Sequence, residues 1–215
     1  MRFNLISFIL IIFLLCLSSC KTRQSSIELQ KFFAPKEIND LNVVRTFFIK
    51  ELCGEDVNFK KYFNKIDPEY LRANGLSLSN NIDFDKQKEM YDSISSGTFN
   101  KIWTFCKTKY ILINEEADNL CINNKDGNYV SYLKELGKTR PGIEKYANQI
   151  EASGDVPQFI SQYDMKKFKK SFNLSDHNVQ LLLAIQYLTT NDQHKRHQDL
   201  IIRNNKENRI KNGFN

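Results

Sequence analysis

The run Leu181-Leu182-Leu183-Ala184-Ile185, followed by Leu188, is apolar nearly all the way round a helix. A helix built on it has no polar stripe along that stretch to turn towards water, so it is stable only where neighbours cover most of its sides. Ser175 stands where an N-cap is expected, with Leu174 and Val179 in the two positions of a hydrophobic staple. The segment near 175–190 is therefore predicted to be the buried centre of the fold, and the rest of the chain must supply its shell.

That shell reads as helical. Pro35 precedes Ile38, Leu41, Val44, Phe48 and Leu52 at spacings of three and four, and Gly54 closes the segment. Phe59, Tyr62, Phe63 and Ile66 repeat the pattern up to Asp67-Pro68-Glu69, where Asp67 caps and Pro68 opens a further piece ending at Gly75. Asp85 is the expected cap of a segment carrying Met90, Tyr91 and Ile94 before Gly97. Asn128 or Asp126 opens a helix with Tyr129, Tyr132, Leu133 and Leu136, stopped by Gly137. Pro141 opens another with Ile143, Tyr146, Ala147 and Ile150, stopped by Gly154. Between Thr98 and Asn124 two readings stand. Lys109–Ile113 and Asn119–Asn123 pair as a small β-hairpin near 108–123 across Glu115-Glu116-Ala117-Asp118, or the stretch is loop and short helix. The fold class predicted is mainly α, a compact multi-helix domain, and no repeat of 20 to 50 residues is found.

The amino terminus does not belong to that domain. Met1-Arg2 is a short cationic head, and from Leu5 to Leu17 only Ser7 interrupts an apolar run, the order of a secretory signal. A spanning helix needs about 20 apolar residues, and this run stops short. At Leu17-Ser18-Ser19-Cys20 the segment resembles the lipobox of bacterial lipoproteins, in which an aliphatic and two small residues precede a cysteine. The resemblance implies a diacylglycerol on the Cys20 thiol, cleavage between Ser19 and Cys20, and acylation of the new amino group. Lys21 stands where many lipoproteins retained at the inner membrane carry Asp, which by the same resemblance points to the outer membrane of a Gram-negative bacterium, with the domain in the periplasm or at the cell surface. The resulting division is a cleaved signal over 1–19, the lipidated cysteine and a polar tether over 20–34, a helical domain over 35–203, and a polar tail over 204–215 that is expected to fray.

Export sets how charge and cysteines are read. Removing Arg2 with the signal lowers Lys+Arg from 31 to 30 against 25 acids, a mature net charge of +5. The excess is local, in Lys166, Lys167, Lys169 and Lys170 and in Lys195, Arg196, Arg203, Lys206, Arg209 and Lys211. An exported protein rarely meets nucleic acid, so a nucleic-acid partner is excluded and solvated helix faces are expected. Cys16 leaves with the signal and Cys20 takes lipid, which leaves Cys53, Cys106 and Cys121 and room for at most one internal disulfide. An oxidising compartment permits it, yet Cys106 and Cys121 lie in apolar neighbourhoods that suit small buried thiols equally well, so no pair is assigned. Asn is abundant, at 23 residues against 8 Gly and 4 Pro, and this carries no mechanism.

The search for chemistry mostly excludes. Gly137-Lys138-Thr139 resembles the end of a phosphate loop, but the earlier glycine would fall at Tyr132. Asn124-Lys125-Asp126-Gly127 resembles a calcium loop whose first ligand would be Ile122 and whose closing acid would be Leu133. His194 and His197, with Asp192 and Asp199 nearby, have the spacing of a zinc pair on one helix face but no HExxH pattern, and the remaining histidine is His177. Glu115, Glu116 and Asp118 are candidates for the two carboxylates of a glycosidase, which stand about 5 to 9.5 Å apart. No GxSxG elbow is present. Trp103, Tyr129, Tyr132, Tyr146 and Tyr163 are available to floor a peptide or glycan groove, or to fill the core. No cofactor is expected. The residues incline against an enzyme and towards a non-catalytic binding or accessory lipoprotein of the cell envelope, with the membrane and an envelope protein or glycan as partners. The alternative is an envelope hydrolase acting on peptidoglycan or a related polymer through Glu115 or Glu116.

Overall fold

The computed structural model describes residues 27–54, 58–66, 78–157 and 172–212. In chain order these form α1 (Ile27–Gln30), α2 (Pro35–Cys53), α3 (Phe59–Lys65), a single 3-10 turn (Ser79–Asn81), α4 (Phe84–Ser93), α5 (Ser96–Ile102), β1 (Trp103–Tyr110), β2 (Glu115–Ile122), α6 (Tyr129–Gly137), α7 (Pro141–Ser153), α8 (His177–Arg196) and α9 (Gln198–Lys211). The architecture is mainly α with one small antiparallel hairpin. The expected segment at 67–75 lies outside the described residues.

α8 is the axis. Every residue from Asn178 to Thr189 is buried, as are Asn191 and Asp192, and α2, α4, the 3-10 turn and β2 pack around it. Its apolar middle is as expected, but its N-cap is Asp176, one residue later than Ser175. One carboxylate oxygen of Asp176 accepts the Asn178 N–H at 2.9 Å while the other accepts from Arg140 at 2.9 Å, two tasks that a serine hydroxyl cannot share as well. The shift takes Leu174 and Val179 out of staple register, although both are buried. The Gln180 side-chain amide donates to the Leu174 carbonyl at 2.9 Å instead.

The flanks of α8 are polar, and the surrounding layers meet them with matching groups. Tyr132 donates its hydroxyl to Asn178 at 2.9 Å, Tyr146 donates to Gln186 at 2.7 Å, and the Trp103 indole N–H donates to Thr189 at 2.8 Å. Asn191 donates to Gln87 at 2.8 Å, and Gln87 donates to the Leu188 carbonyl at 2.9 Å. Trp103, Tyr129, Tyr132 and Tyr146 are thus core residues, fully buried, and none of the four floors a groove. Tyr163 lies outside the described residues. Burial pushes the hydroxyls of Tyr129, Tyr132 and Tyr146 well above the ordinary tyrosine value, so they stay protonated and able to donate.

α2 and α7 run between the expected stops. Gly154 ends α7 in the left-handed region with φ 70°, a conformation glycine adopts without strain. Gly137 closes α6 where α7 crosses it, and a Cβ there would lie 2.7 Å from the Glu144 Cα. The packed body begins ahead of Pro35, since Leu29 and Phe33 are buried in the core and Phe33 meets Tyr132 edge-on.

Two further boundaries differ from expectation. α4 is capped by Asp83, which accepts from the Asp85 and Lys86 N–H groups at 2.9 and 3.1 Å, so Asp85 is a first-turn acid and no cap. Gly97 ends nothing, because a second helix, α5, starts at Ser96 under the Ser95 cap. That junction is held by Asp40 of α2, whose carboxylate accepts from the Ser95 N–H and hydroxyl and the Thr98 hydroxyl at 3.1, 2.7 and 2.6 Å. Burial alone would raise the Asp40 carboxyl, but the bonds from Thr98 and Ser95 outweigh it and hold the group below the usual aspartate value.

The hairpin is present, with Trp103 opposite Ile122 and Tyr110 opposite Glu115. Residues 111–114 connect the strands and Asn114 takes φ 53°, so Glu115, Glu116, Ala117 and Asp118 lie in β2, not in the connection. The inner half of the hairpin packs Trp103, Leu120 and Ile122 into the main core, while its outer half sets Tyr110 and Ala117 against Leu200 of α9. α9 runs on through the region expected to fray from Asn204, as a helix to Lys211 with Leu200 its only buried residue.

Because the Leu183 side chain is fully covered, Leu183→Ala should destabilise the domain by about 2–5 kcal/mol in chemical denaturation; a loss under ~1 kcal/mol would contradict the central place of α8. Asp40→Asn should cost about 1–2 kcal/mol near pH 7. The native carboxyl titrates below its unfolded value, so its contribution is present at neutral pH and lost as pH falls through the folded pKa. The gap between the two proteins should therefore narrow in acid, and a gap independent of pH would contradict the assignment.

Candidate functional site

Cys20, Ser19 and the Lys166–Lys170 cluster lie outside the described residues.

Glu115 and Glu116 are neighbours on a strand, and successive strand side chains point to opposite faces. Glu115 faces α9, where its two oxygens accept from the Arg203 guanidinium at 2.5 and 2.9 Å. Glu116 is exposed on the other face with Asp118, and Asp118 pairs with Lys107 of β1 at 2.8 Å. Glu115 and Glu116 therefore point apart, each beside different neighbours, and Asp118, on the Glu116 side, is tied to Lys107.

The two histidines are not one turn apart on a continuous helix. His194 lies near the end of α8, whereas His197 sits at the break between α8 and α9 with φ −130° and ψ 43°. The His197 Nε2 lies 2.6 Å from the Asp118 carbonyl oxygen, so that nitrogen ties the helix junction to β2. Partial burial, with Lys195 beside it, lowers the His194 pKa and favours the neutral ring. Among the described residues no group of three or more His, Cys, Asp or Glu side chains is arranged to hold a metal ion.

The cysteines resolve into one pair and one thiol. Cys106 and Cys121 form a disulfide with Cα atoms 5.9 Å apart, within the span such bridges require. Cys106 stands opposite Asn119, two residues before Cys121, so both side chains lie on one face of the hairpin. Cys53 is buried at the end of α2 and its thiol is pushed up to about 11 by burial. At neutral pH it is an unreactive thiol, since the thiolate is the nucleophile.

A concavity of about 530 Å³ opens between α2 and α4, within the size range of ligand sites. Val43, Phe47 and Met90 line it, with Lys50, Glu51, Lys86 and Glu89 also on its walls. Lys86 reaches across to Glu51 at 3.6 Å. Apolar side chains flanked by charges of both signs can hold an apolar chain segment.

Sequence reasoning missed a buried ion pair at the end of α8. Asp192, completely covered, accepts two bonds of 2.7 Å from Arg196 one turn on. The guanidinium lies over the rings of Phe105 and Phe84 at 5.0 and 5.9 Å. The (i, i+4) acid–base spacing was a legible signal; the burial was not. Phe84 belongs to α4 and Phe105, itself half-exposed, to β1, so the pair links the end of α8 to both elements. Among the described residues no helix is long and apolar enough to cross a membrane. No family model matches the chain, and no curated protein or solved structure is significantly similar to it.

Protein unfolded in denaturant without reductant and treated with iodoacetamide should be alkylated at Cys53 and spared at Cys106 and Cys121, as read by peptide mass spectrometry. Alkylation of the last two under these conditions would contradict the bridge. Its 15-residue separation predicts a stability loss of about 3 kcal/mol for Cys106→Ser with Cys121→Ser.

Proposed function

We propose that the chain is an exported bacterial lipoprotein, attached through acyl chains on Cys20, whose helical domain serves as a non-catalytic binding or accessory component of the cell envelope. The observation that carries the reading is the coincidence of a cationic head, an apolar run too short to span, and Leu17-Ser18-Ser19-Cys20. The Cys106–Cys121 bridge supports it from an independent direction, because such bonds persist in oxidising compartments.

Attachment follows from the number of chains. One buried acyl chain binds reversibly, and a second makes anchoring effectively permanent. Lys21 favours the outer membrane as the destination, and the domain then works within reach of that surface. The apolar concavity between α2 and α4 supports binding over catalysis, and the divergence of Glu115 and Glu116 counts against that pair as the acids of the hydrolase alternative.

Cells grown with labelled palmitate should incorporate label into the wild-type protein and none into Cys20→Ser, and the mature protein should begin at residue 20. Equal labelling of both forms, or purified protein starting at Met1, would overturn the reading.

A further inference from the structure

Among the described residues, α9 is fastened to the body beyond its junction with α8 through the outer half of the hairpin. Leu200 packs on Tyr110 and Ala117, the Leu112 N–H donates to the Asn204 side chain at 3.1 Å, and both oxygens of Glu115 hold the Arg203 guanidinium. That half of the hairpin has no place in the main core. Trp103, Leu120 and Ile122 enter the core, whereas Tyr110 and Ala117 form a separate small cluster with Leu200. Lys107, Lys109, Glu116 and Asp118, on the other face of the strands, are exposed. The outer strands and α9 are thus each other's cover, and neither is stable alone: a two-stranded hairpin is marginal in water, and α9 is a helix of 14 residues with one buried side chain. The Cys106–Cys121 bond stands at the boundary between the two halves. The hairpin partners of α9, from Tyr110 to Ala117, fall inside the loop that it closes, as does Asp118, whose carbonyl meets His197.

We propose that this disulfide is a redox latch on α9: intact, it keeps the outer hairpin and α9 docked, and when a dithiol reduces it the two come away as one unit from a body that stays folded. Cys106 is half-buried and Cys121 buried, so Cys106 is the sulfur that a thiolate from solvent reaches. The attack forms a mixed disulfide on Cys106, and the Cys121 sulfur leaves as a thiolate and takes a proton. The second thiol of the reductant then displaces Cys106, so two electrons pass to the protein, which gains two thiols, and the reductant is left as a disulfide. Cutting a bridge with a sequence separation of 15 favours the opened loop by on the order of 100-fold. Local opening is easiest where few apolar contacts are buried, and the small outer cluster is such a place. Trp103, Leu120 and Ile122 keep the inner strands in the core with or without the bridge. The latch goes beyond the lipoprotein reading, and an oxidising compartment sets its resting state as closed.

The test is amide hydrogen exchange on the full chain as purified from the cells that make it, read by peptide mass spectrometry without denaturant, before and after treatment with dithiothreitol. Reduction should open the bond in the folded protein and speed exchange over 107–118 and 198–211 together, by on the order of 100-fold, while 181–188 keeps its rate. Reoxidation with glutathione disulfide should restore slow exchange. Iodoacetamide added to the reduced protein should label Cys106 and Cys121 and spare Cys53, whose burial in the main core reports that the body has not opened. The proposal is overturned if dithiothreitol leaves the bond intact until the protein unfolds, if neither segment changes, or if either changes without the other. It is overturned equally if 181–188 quickens with them, if Cys53 is labelled as fast as the pair, or if reoxidation does not bring back the slow rates. None of these readings involves Cys20, so an unlabelled Cys20 in the palmitate experiment would remove the lipoprotein reading and leave the latch standing; labelled Cys20 with unchanged exchange would do the reverse.

Discussion

A helix covered on every side depends on its neighbours to meet the polar groups it carries, and α8 is so covered from Asn178 to Thr189, where among the buried polar atoms the Tyr187 hydroxyl is left without a hydrogen bond. Its middle turns solve the problem by having no polar side chains, but Asn178, Gln180, Gln186, Thr189, Asn191 and Asp192 are buried as well. An unmet amide or hydroxyl in that position costs about 1–3 kcal/mol, so the neighbours are chosen by chemistry as well as volume. Tyr132, Tyr146 and Trp103 each offer a large apolar body and one donor, and each donor lands on a different turn of α8. α4 contributes Gln87, which bonds Asn191 and the Leu188 carbonyl together. The shell is therefore keyed to the axis. A slide of α6 or α7 along α8 would keep much of the apolar contact but break these bonds, which is how a helical core acquires a single arrangement.

The hairpin joins this core to a smaller outer layer. Its twist lets one face of the inner half enter the main core while the opposite face of the outer half covers α9. Two isolated strands are marginal in water, and here the disulfide and the two packing surfaces hold them. The joint with α8 is polar. His197 meets the Asp118 carbonyl, and the Gln193 side chain donates to the Leu120 carbonyl at 2.8 Å and to Asp155 at 2.7 Å. The outer layer is thus fixed in direction by hydrogen bonds and ion pairs more than by buried area.

Periodicity made the helices of the shell and the central place of α8 legible, because repeats of three and four in apolar residues report a buried face directly. Boundaries were less so. Ser175 and Asp85 are good caps in isolation, but Asp176 and Asp83 hold the positions, the former because Arg140, 36 residues away in sequence, also binds it. Gly97 reads as a stop and lies inside the first turn of α5, where Asp40 from α2 supplies the partners that start the helix. The Cys106–Cys121 bond depends on strand register, and the register places the acids in β2 where the pattern of charges suggested a loop. Glu115 and Glu116 look paired in the chain and diverge in space for the same reason. Each of these features is decided by contacts between segments far apart in sequence, which local spacing does not encode.

The Asp192–Arg196 pair shows how the layers depend on each other. A fully covered carboxylate is expensive to desolvate, and its attraction to one guanidinium repays that only when the geometry is good and the cation has company. Here the bonds are bidentate, and the guanidinium lies over the rings of Phe84, at the start of α4, and Phe105, on β1. These contacts bring the end of α8, the start of α4 and the root of the hairpin together at one ion pair. His197 follows Arg196 directly, and α9 begins one residue later. α9 therefore leaves the body from a junction at which the buried pair ends α8 and His197 is tied to the Asp118 carbonyl.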